Sequence, residues 1–353
     1  MTLFAILMLT VVAPVASTPD TSYTLAVNRR AFINEWGVVA INDTVTVRNI
    51  GTEPVTRIIM GLPREYASDL HYISSKDQYR MDVAVKRDVN PSSPIYWMDF
   101  EFPTPITPQK SYEFSTVMVI DHIVKYFEGT FIYRFADAPS LQIEADPCNV
   151  TVLLPQGSAM FLPPNFTFTQ VEIGGMPSLT HTFKPLEPNR ATSMSFNFTS
   201  VSIQFMDLSS VEREISFGGA GYVHVADTYA VRNLAAAMSS LSIQLPEGAT
   251  GIMAYDPAGP LWTEEQETTQ ASVSPRYGTL RGDENFTFTL KYRLPTSYVK
   301  QVKWWGQYEL VFDFLTSHPW MVDKLAVLVV MEEGMKLEKS SQSPTSSYTD
   351  HGK

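Results

Sequence analysis

The feature that most constrains this chain is a stretch it uses twice. Residues 37–49 read GVVAINDTVTVRN and residues 221–233 read GYVHVADTYAVRN, offset by 184 positions. Seven of the thirteen gapless positions are identical: Gly37, Val39, Asp43, Thr44, Val47, Arg48 and Asn49 meet Gly221, Val223, Asp227, Thr228, Val231, Arg232 and Asn233. A spacing this long exceeds any solenoid unit, so the pattern reads as two related domains in tandem rather than a stacked array.

Both copies alternate. Val39, Ile41, Val45 and Val47 share one parity, as do Val223, Val225, Tyr229 and Val231. Side chains on a strand switch faces with period two, so each copy predicts a half-buried strand. Residues 33–36 read as an earlier strand or its turn. Each copy then passes a polar break to an apolar strand ending in Leu-Pro, at Leu62-Pro63 and Leu245-Pro246. The order continues through Tyr112 to Ile120 against Phe286 to Leu290, Phe127 to Phe135 against Trp305 to Phe314, and Asn149 to Gly157 against Leu325 to Gly334. The expected fold is all-β: two tandem, internally repeated, mostly antiparallel β-sandwich-like domains. Superposition is expected between residues 26–157 and 214–334, with Gly37 and Gly221 equivalent. Asp43-Thr44 and Asp227-Thr228 sit mid-strand, where Asp is disfavoured. The expectation there is a shared structural role, with Arg48 or Arg232 pairing nearby or the carboxylate bonded to backbone.

The apolar run Leu3 to Ala16, followed by small and polar residues, reads as a signal peptide over residues 1–17, although Lys and Arg are missing from its start. The first domain then covers residues 22–205, the second 206–339, and a polar tail 340–353 is expected to be disordered. No later stretch approaches eighteen consecutive apolar residues. The length of 353 residues suits two sizeable cores, and a net charge of −11 argues against a nucleic-acid partner. Cys148 is the only cysteine, which excludes an intrachain disulfide and reads as a small buried side chain. Strand-like material between Ser158 and Phe205, including Phe166, Phe168, Phe196 and Phe198, has no match in the second copy. Two readings stand: a second domain shorter by design, or a chain that stops before that domain is complete, the reading preferred here. The run Leu325 to Met331 has the composition of a strand buried on both faces. Without counterparts of the later strands it would present an apolar face or open edge.

Catalytic chemistry is hard to find. The histidines at 71, 122, 181, 224, 318 and 351 show no HExxH and no neighbouring ligand at zinc spacing. There is no GxSxG, P-loop or dinucleotide fingerprint. Gly218, Gly219 and Gly221 precede a strand, which fits a bulge or turn rather than a phosphate cradle. Asp99 and Glu101 share one strand face, more simply a solvated face than a carboxylate pair. No catalytic residue, cofactor or metal ligand is assigned. Five sequons, at Asn42, Asn149, Asn165, Asn197 and Asn285, are potential glycan acceptors, or simply the way an alternating strand looks. Tyr298, Trp304, Trp305, Tyr308 and Trp320 crowd one region. Of these Trp304, Trp305, Tyr308 and Trp320 are candidate interface aromatics, against the plainer reading of a sandwich core.

Residues 291–339, KYRLPTSYVKQVKWWGQYELVFDFLTSHPWMVDKLAVLVVMEEGMKLEK, carry Tyr292, Leu294, Pro295, Gly306, Gln307, Tyr308 and Gly334. This segment resembles the second luminal domain of the ribophorin I family, non-catalytic subunits of the oligosaccharyltransferase complex. Residues 211–233 resemble the start of that domain, and the first half resembles the family's first luminal domain more loosely. The resemblance implies a scaffold or substrate-presenting subunit in protein N-glycosylation, not itself an enzyme. It implies as partners a multispanning catalytic subunit, other subunits of the complex and nascent polypeptide. It places the chain in the endoplasmic reticulum lumen, or outside the cell membrane in an archaeon. Family members continue through more luminal strands and one membrane helix, a segment absent from this chain. The alternative reading is a secreted or surface β-sandwich protein for adhesion or carbohydrate binding.

Overall fold

The computed structural model describes residues 22–217, 223–265, 269–303, 307–311, 322–331 and 335–340. The expected signal peptide, Gly218 to Gly221 and nearly all of the polar tail lie outside the described residues. Within them the regular structure is β-strand, apart from single 3-10 turns at Arg64–Tyr66 and Thr296–Tyr298.

In the first unit, Tyr23–Ile33 lies antiparallel to Val39–Asn49, which pairs with Ser111–Ile120, and that in turn with Leu70–Asp77. The other side of Tyr23–Ile33 pairs in parallel with Ala145–Leu153, followed by Met176–Phe183 and Thr169–Ile173. The second unit repeats the first four of these pairings and, among the described residues, lacks counterparts of the last two. Met206–Phe217 lies against Val223–Asn233, then Asn285–Leu294 and Thr250–Asp256, while Leu325–Met331 runs parallel on the far side of Met206–Phe217. The smaller sheets correspond as well. Val55–Pro63 with Ile95–Ile106 matches Leu241–Gln244 with Gln270–Val273. The hairpin Val124–Phe127 and Thr130–Ala136 matches Val299–Lys303 and Gln307–Leu310. The expected all-β, mostly antiparallel fold holds, with one parallel pair in each unit. No helix among the described residues is long and apolar enough to cross a membrane.

Alternation sets the core. On Tyr23–Ile33 and Val39–Asn49 the odd-numbered residues point inward, and Ile33, Val39, Ile41, Val45 and Val47 are fully buried. Each such side chain contributes about 1.5–3 kcal/mol, and a one-residue slip would send the whole set to solvent. One apolar cluster draws on residues 25–205 together with Ala235, and a second on residues 206–294.

The repeated residues can now be read as structural parts. Asn49 ends its strand and donates from Nδ2 to the carbonyls of Glu53 and Ile106, both at 2.8 Å, while its Oδ1 accepts from the Gly51 N–H. Asn233 does the same for Ala236 at 2.8 Å and Leu280 at 2.9 Å, accepting from Ala235 N–H. Gly37 turns at φ +78°, and an added Cβ there would lie 2.5 Å from the Phe205 ring. Thr44 and Thr228 pair across the outer face with Ser115 and Thr289.

The two aspartates form buried ion pairs, but not with the expected arginines. Asp43 takes a two-pronged contact from Arg29, Nε to Oδ1 and Nη2 to Oδ2, both at 2.7 Å. Asp227 takes the same contact from Arg213, at 2.6 and 2.8 Å. Each pair sits directly opposite in register. Arg48 and Arg232 have the wrong parity, are exposed, and Arg232 instead meets Asp283 at 3.0 Å. Burial opposes the charge on Arg29 and Arg213, and the facing carboxylates outweigh it, holding both guanidinium groups above their usual range. Tyr292 also donates to Asp227 Oδ2, at 2.9 Å.

Candidate interaction site at an open sheet edge

The two units treat their parallel strand in opposite ways. In the first, Ala145–Leu153 is bracketed: Tyr23–Ile33 on one side and antiparallel Met176–Phe183 on the other, from Cys148 opposite Phe183 to Leu153 opposite Ser178. Its inward residues Cys148, Val150 and Val152 are at most 1% exposed. Tyr133 and Phe196 face each other with tilted rings, centres 5.0 Å apart, on the neighbouring strands Thr130–Ala136 and Ser193–Thr199 of a second sheet.

In the second unit, Leu325–Met331 is the last strand of its sheet among the described residues. Its register on Met206–Phe217 makes Leu325 the equivalent of Cys148 and Val329 the equivalent of Val152. Leu325 and Val329 are 38% and 40% exposed, and Leu328, Val330 and Met331 lie at 39–40%. The strand composed like one buried on both faces therefore exposes apolar side chains on both, with Val327 alone of the seven half-buried against the core cluster. No strand among the described residues pairs with its other edge, which with its apolar side chains is a template for another strand. Next to it Tyr308, 45% exposed, leans on Phe217 with ring centres 6.0 Å apart. The outer face of the same sheet forms a shallow hollow of about 550 Å³ lined by Glu212, Glu214, Tyr255, Lys291, Ala326 and Leu328.

The other predicted site residues are dispersed. Trp304, Trp305 and Trp320 lie outside the described residues, so of the aromatic group only Tyr298 and Tyr308 are placed. Asn42, Asn165, Asn197 and Asn285 are exposed, whereas Asn149 is half-buried and its Oδ1 accepts from Thr182 at 2.9 Å. Asp99 and Glu101 do not form a solvated pair: Asp99 is buried and meets Arg57 at 3.0 Å, and Glu101 pairs with Lys86. Spacing along the sequence missed one convergence. His71 and His122 both reach Asp121, with His71 Nε2 at 2.8 Å and His122 Nδ1 at 2.6 Å from Oδ1.

No family model matches this chain, and no curated protein matches it. Among solved structures it is similar to a "putative nutrient binding protein" of Legionella pneumophila, with 10% identity, a TM-score of 0.36, and coverage of 51% of this chain and 67% of that one. It is also similar to an M1 zinc metallopeptidase of Deinococcus radiodurans, with 14% identity, a TM-score of 0.30, and coverage of 56% and 48%. A third is an aminopeptidase N family protein of Idiomarina loihiensis, with 8% identity, a TM-score of 0.30, and coverage of 54% and 32%. The matched region spans about half the length of the metallopeptidase.

Proposed function

We propose that this chain is a non-catalytic assembly subunit of the ribophorin I type, acting in protein N-glycosylation beside a multispanning catalytic subunit. It works on the extracytoplasmic side of a membrane, the endoplasmic reticulum lumen in a eukaryote. The observation that carries the reading is the open strand Leu325–Met331, whose counterpart in the first unit is paired and covered. A partner subunit supplies the missing cover as an antiparallel strand, in the place that Met176–Phe183 takes in the first unit. Burying the remaining exposure of five large apolar side chains contributes roughly 3–6 kcal/mol, at 1.5–3 kcal/mol per fully buried side chain. The resemblance of residues 291–339 to that family supports the choice of complex.

The test is affinity purification of the full chain from native membranes, with Val329→Lys as the comparison. Recovery of a multispanning oligosaccharyltransferase subunit with the unaltered chain, and its loss with V329K, is the expected result. Equal recovery with both, or recovery with neither, overturns the reading. Saturable binding to a glycan array by the chain alone, with no such subunit recovered, would favour the adhesion alternative.

A further inference from the structure

His71 and Asp121 are fifty positions apart, yet the donor atoms of His71, Asp121 and His122 all lie within 4.8 Å of one another. Two local departures from regular strand geometry bring them together. The ladder of Leu70–Asp77 against Ser111–Ile120 shifts register between Leu70 and Tyr72, so His71 is the extra residue at a bulge. Bulges re-aim side chains, and they are common next to functional sites. His122 occupies the corner after Ile120 at φ 55°, a left-handed conformation uncommon outside glycine. Between the two imidazoles Asp121 is 8% exposed, with its backbone N–H held by the Asp69 carbonyl at 3.2 Å.

We propose that His71, Asp121 and His122 form a binding site for a divalent transition metal of the zinc class. Two imidazoles and one carboxylate suit zinc, copper, nickel or iron, while calcium and magnesium favour all-oxygen sets. The metal takes His71 Nε2, His122 Nδ1 and a carboxylate oxygen of Asp121, leaving a fourth position for water. Both histidines bind as neutral rings, so any proton now shared between a ring nitrogen and the carboxylate leaves to solvent as the metal enters. Bonds of about 2.0–2.1 Å to tetrahedral zinc set donor atoms roughly 3.3 Å apart, so the present contacts to Asp121 at 2.8 and 2.6 Å open by about 0.5–0.7 Å. The imidazoles have room for this, being 37% and 59% exposed.

A second observation sits beside the cluster. Asp121 and His122 line a cleft where the two units meet, together with Trp36, Phe205, Asp207 and Asp323. Asp207 and Asp323 belong to the second unit, and Asp323 N–H is anchored on the Leu208 carbonyl at 3.0 Å. Three carboxylates around one cleft draw a cation in.

The experiment uses the full chain without a histidine tag, titrated with zinc by calorimetry and with cobalt(II) by visible absorption. The expected result is one saturable equivalent and intense d–d bands of a four- or five-coordinate ion. His71→Gln and His122→Gln should each weaken binding at least tenfold and alter the bands, while His181→Gln changes neither. Circular dichroism of the metal-free variants confirms that they fold. Asp121→Asn serves as an independent variant if either histidine change unfolds the chain. Absence of a saturable equivalent overturns the proposal, as does unchanged cobalt absorption in both H71Q and H122Q.

Discussion

Replacing Asp227 with Ala tests the buried ion pair most directly. Arg213 and Asp227 are 2% and 1% exposed, and two short contacts join them. Removing the carboxylate takes the counter-charge from a guanidinium whose charge burial opposes, and it takes the Asp227 acceptor from the Tyr292 hydroxyl. Breaking one side of a buried pair costs about 3–5 kcal/mol. For a domain of this size, that lowers the melting temperature by roughly 6–20 °C. The pair itself is not the reason for the loss, because two charges brought out of water nearly cancel their own attraction. The apolar triple variant Arg213→Met, Asp227→Leu, Tyr292→Phe should therefore recover most of the lost stability. The assay is thermal unfolding combined with hydrogen exchange read by unit. Protection should fall in the cluster of residues 206–294 and persist in that of residues 25–205. An unchanged melting temperature in D227A would refute the reasoning, and so would a triple variant as unstable as the single one.

Other predictions follow from single contacts. Asn233→Ala removes one donor from two carbonyls and should cost about 1–3 kcal/mol in urea unfolding, with Asn49→Ala behaving alike in the first unit. Burial pushes the Cys148 thiol from 9.0 up to about 12, so the native chain should resist a thiol-specific disulfide reagent at pH 8 and react only on unfolding. The same shift makes the unfolded chain ionise first, so stability should fall between pH 9.0 and about 12, and Cys148→Ala should lessen that slope, most clearly below pH 10.0 where the buried tyrosines do not yet contribute. Hydrogen bonds from Arg276 hold the Asp256 carboxyl below its usual 3.8. Its contribution is present above that value and is lost as pH falls through the lower folded value, so Asp256→Asn should flatten this part of an acid titration.

Much of the fold was legible because a strand writes its inward face into every second residue. The parity that predicted Val39, Ile41, Val45 and Val47 as buried also placed Asp43 among them. Carried one strand back, it puts Arg29 with Leu25, Val27, Ala31 and Ile33 on the same face. Arg29 and Arg213 stand at the shared offset of 184, so the true partner is present in the sequence, on the strand that precedes the repeated stretch. Nearness in sequence pointed to Arg48 instead, and parity excluded it. The parallel pair was not legible, since nothing in Leu325–Met331 records the direction of its neighbour. The histidine cluster was not legible either. It depends on a register shift and a left-handed corner joining residues fifty apart, and neither leaves a spacing motif.

The two parallel strands also differ on their outer faces, and this separates two kinds of partner. By register, Ala326, Leu328 and Val330 take the places of Asn149, Thr151 and Leu153. The first unit keeps polar residues at two of these three positions, on a face its own chain leaves half-exposed. The second unit has none, so cover confined to the inner face and the edge would leave Leu328 and Val330 in water. A partner that also lies over the outer face accounts for both. Leu328→Thr restores the residue of the first copy at a site 40% exposed in this chain, so stability should change by no more than about 0.5 kcal/mol. Recovery of the partner subunit should nevertheless fall, as it does with Val329→Lys on the inner face. Full recovery with L328T and loss with V329K would show a partner that only completes the pattern of the first unit, and the outer-face argument would be wrong.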